Sequence, residues 1–382
     1  MSEIPYSPGL EGVVATVTRI SYLDVEHERI LVRGYDLIEL ARHRSYPEVA
    51  YLLLYEALPT PEEATAFERQ LVGHAELPDG AYRLLELLPK TTSVMDAVRT
   101  GLSFLAGYED PHVLADPSRS ANLAKGMRVL AKAPTLVANA YRALHGQSFV
   151  RPDGEGGFVD GFLRMILGTA PDPTARRVFD VILTCYIEHE LPNSTFAARV
   201  IASTLSDLYG AVVGAAASLK GPLHGGANEA ATQMLLEILQ QGGAARAEAY
   251  VQEKLRQGER IMGFGHRVYM RRHDPRAVLL QEFIPQLLDR RPEGQELYRI
   301  YRTVEEVMAR EKRIYPNADY PIGLLLYLLG VPIPLYTPVF LCARIAGLVA
   351  HVVEQQAENR LFRPRVRYEG PPYRPVPQPA RR

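Results

Sequence analysis

Residues 196–239 show most clearly that this chain is helical, and they read FAARVIASTLSDLYGAVVGAAASLKGPLHGGANEAATQMLLEIL. In the first part, apolar side chains recur at three- and four-residue spacing, as they do on one face of an α-helix. Gly and Pro interrupt this pattern in residues 220–226, and a second helical pattern follows over Ala230–Leu239. We predict one unbroken helix over Phe196–Leu219. Its many Ala, Ser and Gly residues allow a close neighbour, which is either another core helix or the same helix of a second subunit.

Outside this stretch the pattern is helical as well, except near the N-terminus. Two β-rich runs, Val13–Tyr22 and Arg29–Arg33, flank the polar stretch Asp24–Glu28 and predict a β-hairpin. We therefore expect a mainly α protein with a small N-terminal β-hairpin. Apolar residues at helical spacing predict five further helices, at Tyr35–Ala41, Pro47–Ala57, Pro61–Val72, Met127–Leu144 and Arg176–Glu188.

The composition is that of a globular protein. The chain has 382 residues, of which 47% are hydrophobic and 23% charged, and a formal net charge of −1. The length predicts two or three domains, or one large domain with a smaller one inserted, and the charge predicts no general attraction to nucleic acid. Cys185 and Cys342 lie in apolar runs, where we expect buried reduced thiols rather than a disulfide. Residues 1–9 lack the apolar stretch of a secretory signal, so we expect a cytoplasmic protein.

One segment is long and apolar enough to imitate a membrane span. Gly323–Ala343 carries no formal charge, but it contains Pro332, Pro334 and Pro338. Prolines at these positions would interrupt a helix and leave backbone groups without partners in lipid. The segment predicts two buried elements joined by a proline-rich turn, and no membrane association.

Residues 220–229, KGPLHGGANE, place a histidine near the start of a helix. His224 stands between Pro222 and the pair Gly225–Gly226. The free N–H groups and the dipole of a helix start disfavour a charged imidazole, and a neutral one can donate a hydrogen bond to a developing oxyanion. The simpler alternative is a histidine that only caps a turn.

Two more segments place polar groups beside glycines or in turns. Residues 261–276, IMGFGHRVYMRRHDPR, combine a Gly-Phe-Gly stretch with His266 and four arginines, whose forks suit carboxylates and phosphates. A solvated basic loop is the alternative there. Residues 315–323, YPNADYPIG, place Asp319 after a Pro-Asn turn, either as a helix cap or as a base whose strength increases with burial.

The remaining polar stretches carry weaker signals. Residues 188–195, EHELPNST, set His189 between two acids, but residue 193 is Asn where a zinc motif needs its second histidine. Residues 359–368, NRLFRPRVRY, cluster four arginines that suit an anion. We find no phosphate loop, hydrolase elbow or zinc spacing, and expect no metal. The last residues, Gly370–Arg382, predict a mobile tail or an arm lying on a partner subunit.

Taken together, these motifs closely resemble the citrate synthase family. GPLHGGANEA, IMGFGHRVY, DPRA, YPNAD and NRLFRPR occur in order over nearly the whole chain, and EHELPNSTFAARV and GVPIPLYTP are most similar to the bacterial citrate synthase and 2-methylcitrate synthase branch. The resemblance implies a two-domain helical fold, with a large dimerisation domain at 1–221 and 326–382. A small domain at 222–325 would close over the substrates. The family forms homodimers, or hexamers in some bacteria.

The resemblance also implies an acyltransferase that joins acetyl-CoA, or propionyl-CoA, to oxaloacetate, in the tricarboxylic acid or methylcitrate cycle. The coenzyme A thioester is a substrate, so no resident cofactor is expected. Matching motifs assign catalytic roles to His224, His266 and Asp319, oxaloacetate binding to His189, Arg276, Arg344 and the neighbouring subunit's Arg363, and coenzyme A binding to Arg267, Arg271 and Lys312.

The implied reaction suits these residue types. A thioester α-proton is too weak an acid for a free carboxylate, so Asp319 would remove it while a neutral His224 stabilises the enol oxygen. His266 would then donate to the ketone oxygen, and the arginines would orient the dicarboxylate. The competing hypothesis is a catalytically inactive ligand-binding or scaffold dimer of the same helical fold. The presence of all three catalytic matches argues against it.

One departure from the family pattern concerns the acyl pocket. Where the family usually has D-F-Y-S-G, this chain has D-Y-P-I-G at residues 319–323. Pro321 disfavours helical backbone at Tyr320, so we expect an altered wall that accepts one additional carbon on the acyl group. The alternative is that Pro321 only ends a turn and the wall lies elsewhere.

Overall fold

The computed structural model describes residues 6–265 and 272–376. Within these ranges the chain forms three short strands and seventeen α-helices, which confirms the predicted mainly α class. The elements are β1 (Ser21–Asp24), β2 (Arg29–Val32), β3 (Tyr35–Asp36), α1 (Leu37–His43), α2 (Tyr46–Tyr55), α3 (Pro61–Gly73), α4 (Asp79–Leu87), α5 (Val94–Leu105), α6 (Pro111–Ala115), α7 (Arg119–Leu144), α8 (Gly157–Leu167), α9 (Pro173–Tyr186), α10 (Asn193–Ala202), α11 (Leu208–Leu219), α12 (Ala227–Gln240), α13 (Ala244–Arg256), α14 (Pro275–Gln281), α15 (Gly294–Lys312), α16 (Asp319–Leu329) and α17 (Tyr336–Ala357).

The three strands form one small antiparallel sheet in the order β1-β2-β3. The predicted hairpin is confirmed, since β1 and β2 pair with Ser21 opposite Val32 and Asp24 opposite Arg29. The first strand begins at Ser21 and not at Val13, where we predicted it. Residues 13–20 are β-rich but form no strand, since a strand also needs a neighbour for its backbone groups.

The prediction of a single helix over Phe196–Leu219 is wrong. The chain forms α10 and α11 instead, separated by residues 203–207. Leu205 has the left-handed φ of 63°, and the Asp207 side chain accepts a hydrogen bond from Gly210 N at 2.9 Å, which begins α11. The longest helix of the described residues is α7, with 26 residues. The two helices α10 and α11 pack against each other.

Helix α17 lies at the centre of the core. It packs against α2, α7, α9, α10 and α11, and most of its residues are buried. The predicted proline-rich turn is confirmed, because α16 ends at Leu329 and a short 3-10 turn at Ile333–Leu335 leads into α17. Among the described residues, Ile333–Ala357 alone is long and apolar enough to cross a membrane, but 89% of its apolar window is buried, as in the core helix of a globular protein. Both cysteines are free and buried, as predicted.

A second group of helices follows in the chain. Helices α12, α13 and α15 pack together, and α16 packs against α12 and α14. Members of this group also reach the central core, since α12 contacts α17, and both α14 and α16 contact α9. Three of the polar residues selected from the sequence lie where these helices meet, since His224 precedes α12, Asp319 begins α16 and Arg344 is in α17.

Candidate active site

The turn between α11 and α12 holds His224 in a fixed position. The hydroxyl of Thr337, at the start of α17, donates to Gly225 O at 3.1 Å and to the Glu229 carboxylate at 2.5 Å. Gly225 N donates to Leu219 O at 2.9 Å, and a Cβ at Gly225 would lie 2.5 Å from that same oxygen. Only glycine therefore fits at this position, and the turn is fastened to both α11 and α17.

The His224 imidazole is held in one tautomer by Ser194. Its Nε2 accepts a hydrogen bond from Ser194 N at 3.3 Å and lies 2.9 Å from Ser194 Oγ. Since a backbone N–H can only donate, the proton of the neutral ring is on Nδ1. Burial lowers the pKa of His224 to about 4, and the charge of Arg344 acts in the same direction. The ring is therefore neutral at pH 7, as predicted, but burial keeps it neutral and no helix dipole is required.

Asp319 is the first residue of α16, and its carboxylate does not cap the helix. The cap alternative is not realised, because Asn317 Oδ1 accepts the hydrogen bond from Asp319 N at 3.0 Å. The carboxylate accepts a hydrogen bond of 2.6 Å from Tyr186 OH, which in turn accepts one of 3.1 Å from Asn228. Burial raises the pKa of Asp319 to about 6, although Tyr186 and Arg276 lower it. Asp319 is thus ionised at neutral pH and a stronger base than an exposed carboxylate.

Two aromatic residues that the sequence reasoning missed connect the site. The rings of Tyr186, at the end of α9, and Phe340, in α17, are stacked with centroids 4.0 Å apart. The Phe340 and His224 rings are nearly perpendicular, with centroids 6.1 Å apart. The guanidinium carbon of Arg344 lies 4.8 Å from the centroid of the Phe340 ring. Both aromatic residues stand in apolar runs, and no pattern in the sequence distinguishes them from core residues.

Arg344 is a buried cation with an unused donor. Its side chain is 1% exposed, and Nε donates to Tyr186 O at 2.6 Å. Its Nη1 is buried and has no hydrogen-bond partner among the described residues. Burial lowers the pKa of Arg344 to about 10, so it stays charged at neutral pH. A buried guanidinium with an unpaired N–H is expected where an anion binds.

Arg276 lies in the same region and is paired with Asp274. The Asp274 carboxylate accepts hydrogen bonds from Arg276 Nε at 3.0 Å and Nη2 at 2.7 Å. The same carboxylate accepts one from Ala318 N at 3.1 Å, one residue before Asp319. Asp274 therefore ties the expected oxaloacetate arginine to the expected base.

The Gly-Phe-Gly stretch pairs with the turn that precedes Asp319. Gly265 N donates to Tyr315 O at 3.1 Å, and Asn317 N donates to Gly263 O at 3.0 Å. Gly263 has a φ of 82°, and a Cβ there would lie 2.8 Å from Tyr320 Cβ. The absence of a side chain at Gly263 therefore lets Tyr320 pack against the backbone there. His266, Arg267 and Arg271, which follow this stretch, lie outside the described residues.

The other predicted residues are distributed unevenly. His189 is buried, 7% exposed, between α9 and α10. Lys312, at the end of α15, and Arg363, beyond α17, are exposed. The Arg363 guanidinium donates to Pro364 O at 2.8 Å, and neither cation has a hydrogen bond or ion pair to the site within the described part of this chain. In the same ranges, no group of three or more His, Cys, Asp or Glu side chains is arranged to hold a metal ion.

The expectation that Pro321 moves Tyr320 out of the helix is wrong. Both residues are helical in the first turn of α16, where a proline needs no N–H partner. The Tyr320 ring is buried and stacks on Tyr301 of α15 with centroids 4.3 Å apart, and its hydroxyl donates to Tyr301 O at 3.0 Å. Tyr320 therefore belongs to the contact between α15 and α16.

Known proteins share both the sequence and the structure. Residues 9–365 match the family described as citrate synthase, C-terminal domain. The chain is 50% identical to the citrate/2-methylcitrate synthase of Bacillus subtilis, over 96% of this chain and 97% of that protein. It is 38% identical to the 2-methylcitrate synthase of Shewanella oneidensis, over 95% and 94% of the two chains. Its structure matches citrate synthase from Thermoplasma acidophilum, which was solved as a ternary complex with carboxymethyl coenzyme A and oxaloacetate. The TM-score is 0.91, with 30% identity and coverage of 97% of this chain and 98% of that chain.

Proposed function

The chain belongs to the citrate synthase family, and we propose that it condenses an acyl-CoA thioester with oxaloacetate. Acetyl-CoA gives citrate, and propionyl-CoA gives 2-methylcitrate. The observation that carries the proposal is that burial shifts the pKa values of two site residues, Asp319 and His224. Asp319, with a pKa of about 6, is ionised at neutral pH, and His224, with a pKa of about 4, is neutral. A carboxylate with a raised pKa and a histidine with a lowered pKa suit the roles of a base and a neutral hydrogen-bond donor.

The first step is removal of a proton from the carbon next to the thioester. Asp319 takes this proton while the Nδ1–H of His224 donates to the thioester oxygen, so the C–H bond breaks and an enol forms. Tyr186 fixes the carboxylate oxygen that does not take the proton, through the 2.6 Å hydrogen bond. The carboxylate of Asp319 is therefore held in one orientation before the substrate binds.

The second step forms the carbon–carbon bond. The enol carbon attacks the ketone carbon of oxaloacetate, and the enol proton returns to His224 as the thioester carbonyl re-forms. The ketone oxygen takes a proton from a donor, a role that the family resemblance gives to His266. Water then cleaves the thioester of the condensed product and releases free coenzyme A. An inactive scaffold of the same fold has no support, because the shifted groups of a base and a donor are retained.

Oxaloacetate binding is assigned to buried cations. Arg344 offers an unpaired Nη1, and Arg276 and His189 lie on neighbouring elements. Arg363 is exposed in its own chain, which fits the proposal that it completes the site of a partner subunit in a homodimer. Lys312, Arg267 and Arg271 are proposed to meet the phosphates of coenzyme A. Residues 222–325 would close as a unit, with residues 1–221 and 326–382 as the fixed domain of a cytoplasmic enzyme.

A thiol-release assay tests the proposed function. Purified protein is given oxaloacetate with acetyl-CoA, and separately with propionyl-CoA, and free thiol is followed with time. We expect release from both thioesters that depends on oxaloacetate. Absence of release with either thioester, in protein that is folded by circular dichroism, would contradict the proposal and favour the inactive scaffold.

A further inference from the structure

A buried carboxylate lies against the helix that carries Arg344. Arg344, Gly347 and His351 are three and four residues apart, so they lie on one face of α17. All three are buried, and so is Glu188, which precedes His189. A Cβ at Gly347 would lie 2.3 Å from Glu188 Oε2, so this carboxylate rests on the helix backbone between the arginine and the histidine.

One oxygen of Glu188 is held by two donors. Oε1 accepts a hydrogen bond of 2.9 Å from Ser21 Oγ and lies 3.1 Å from His351 Nε2. His351 Nδ1 lies 2.8 Å from Arg199 Nη1. Since a guanidinium can only donate, Nδ1 accepts this hydrogen bond and Nε2–H of the neutral ring donates to Glu188. Arg199 itself pairs with Glu354 at 2.7 Å.

The other oxygen of Glu188 has no partner. Glu188 Oε2 and Arg344 Nη1 are both buried, and neither makes a hydrogen bond within the described residues. Burial raises the pKa of Glu188, but His351, Arg344 and Ser21 together hold it below its ordinary value, so the group is an anion. Opposite charges buried in one region are most stable as a direct hydrogen-bonded pair, because a lone buried charge is unfavourable, but Glu188 and Arg344 interact only through their charges here. The carboxylate is instead held through Oε1 by Ser21 and His351.

We infer that His351 is a positioning residue: its hydrogen bond to Oε1 holds Glu188 away from Arg344 and so leaves Arg344 Nη1 available to the substrate. In this arrangement Glu188 still acts as a counter-charge for the buried guanidinium. It does not occupy the donor that a carboxylate of oxaloacetate needs. The inference rests on the proposed function, in which Arg344 binds oxaloacetate.

His351→Leu tests the inference by removing the hydrogen bond from His351 to Glu188. Glu188 is then free to turn and pair with Arg344, in competition with substrate. We expect the Kd of oxaloacetate, measured by calorimetry without acyl-CoA, to weaken by about tenfold or more. His351→Gln is the matched control, because its amide can donate to Glu188 and accept from Arg199. We expect it to bind oxaloacetate within about twofold of the wild type.

The double variant Glu188→Gln/His351→Leu separates positioning from general damage. An amide cannot form the competing ion pair, so we expect the double variant to bind oxaloacetate more tightly than His351→Leu does. If the double variant binds as weakly as His351→Leu or more weakly, or if His351→Leu binds like the wild type, the inference is overturned. Thermal melting of each variant shows that the compared proteins are folded.

Two further controls complete the test. Should His351→Leu fail to fold, Ser21→Ala removes the other donor to Oε1, and we expect a weaker Kd for oxaloacetate in the same direction. Ser21→Ala with unchanged affinity would then contradict the inference. Wild-type protein that does not bind oxaloacetate at all would instead contradict the proposed function, and the inference with it. Wild-type binding with unaffected variants contradicts only the inference.

Discussion

The buried and the exposed parts of the site differ in how much the fold has prepared them. Asp319, His224 and Arg344 have shifted pKa values and partners within their own chain. Lys312 and Arg363 are exposed and have no hydrogen bond or ion pair to the site in the described part of the chain. The buried groups are set for chemistry before substrate arrives, because protein has replaced the water around them. The exposed cations need a ligand, a closing domain or a partner subunit to place them.

The largest effect is expected when the base is removed from the buried part. Asp319→Asn keeps the shape and the hydrogen bond to Tyr186 but cannot take a proton. We expect kcat to fall by a factor on the order of 10² to 10⁴, with the Kd of oxaloacetate nearly unchanged. Asp289→Asn, at an exposed surface position, is the matched control and should keep full activity. Turnover of Asp319→Asn at the wild-type rate would remove this residue from the mechanism.

The second prediction concerns the exposed part and asks whether it belongs to another subunit. Arg363→Ala and His224→Ala should each be nearly inactive. When the two are mixed and allowed to exchange subunits, each mixed dimer has one intact site if Arg363 reaches across. Random exchange should then restore about a quarter of the wild-type activity. Confirmed mixed dimers without any recovery would place Arg363 outside the partner's site.

A third prediction shifts the pKa of the base without touching it. Tyr186 lowers the pKa of Asp319 through its hydrogen bond, so Tyr186→Phe should raise that pKa further above its ordinary value. A larger fraction of Asp319 is then protonated at pH 7. We expect kcat/KM at pH 7 to fall by about tenfold and to recover partly at pH 8.5. An equal loss at both pH values would mean that Tyr186 acts through packing alone.

The smallest effect is expected at Tyr320. Because this ring packs on Tyr301 and not among the site residues, Tyr320→Phe should leave the ratio of kcat/KM for propionyl-CoA and acetyl-CoA within about twofold of the wild type. Loss of the hydrogen bond to Tyr301 O should reduce the free energy of unfolding by about 1 kcal/mol. A change of tenfold or more in this ratio would show that Tyr320 does form part of the acyl pocket. For the wild type we still expect the two thioesters to differ by about tenfold or less.

How far the sequence predicts this molecule depends on the distance over which each feature is encoded. The proline-rich turn, the start of α3 at Pro61 and the positions of His224 and Asp319 follow from motifs of about ten residues. The break between α10 and α11 is also local, but it rests on the cap at Asp207 inside a stretch whose apolar spacing continues. Periodicity alone therefore predicts one helix where the Asp207 cap begins a second.

The contacts that the sequence does not predict join residues far apart in the chain. Tyr186 meets Asp319 across 133 positions, and Arg344 meets Tyr186 across 158. No spacing in a single sequence shows such contacts, because they depend on how α9, α16 and α17 pack. The charge state of His224 was predicted for a different reason from the one found, since packing buries it and lowers its pKa.

The pH dependence of kcat/KM for acetyl-CoA tests the central claim most directly, since it reports the charge of the base. Asp319 acts only when ionised, and its pKa is about 6. We therefore expect kcat/KM to be level at pH 7 to 8 and to fall below pH 6, approaching tenfold per pH unit. The break should move upwards in Tyr186→Phe. A profile that stays level down to pH 4.5, or a break that Tyr186→Phe leaves in place, would contradict the assignment of Asp319 as the buried base.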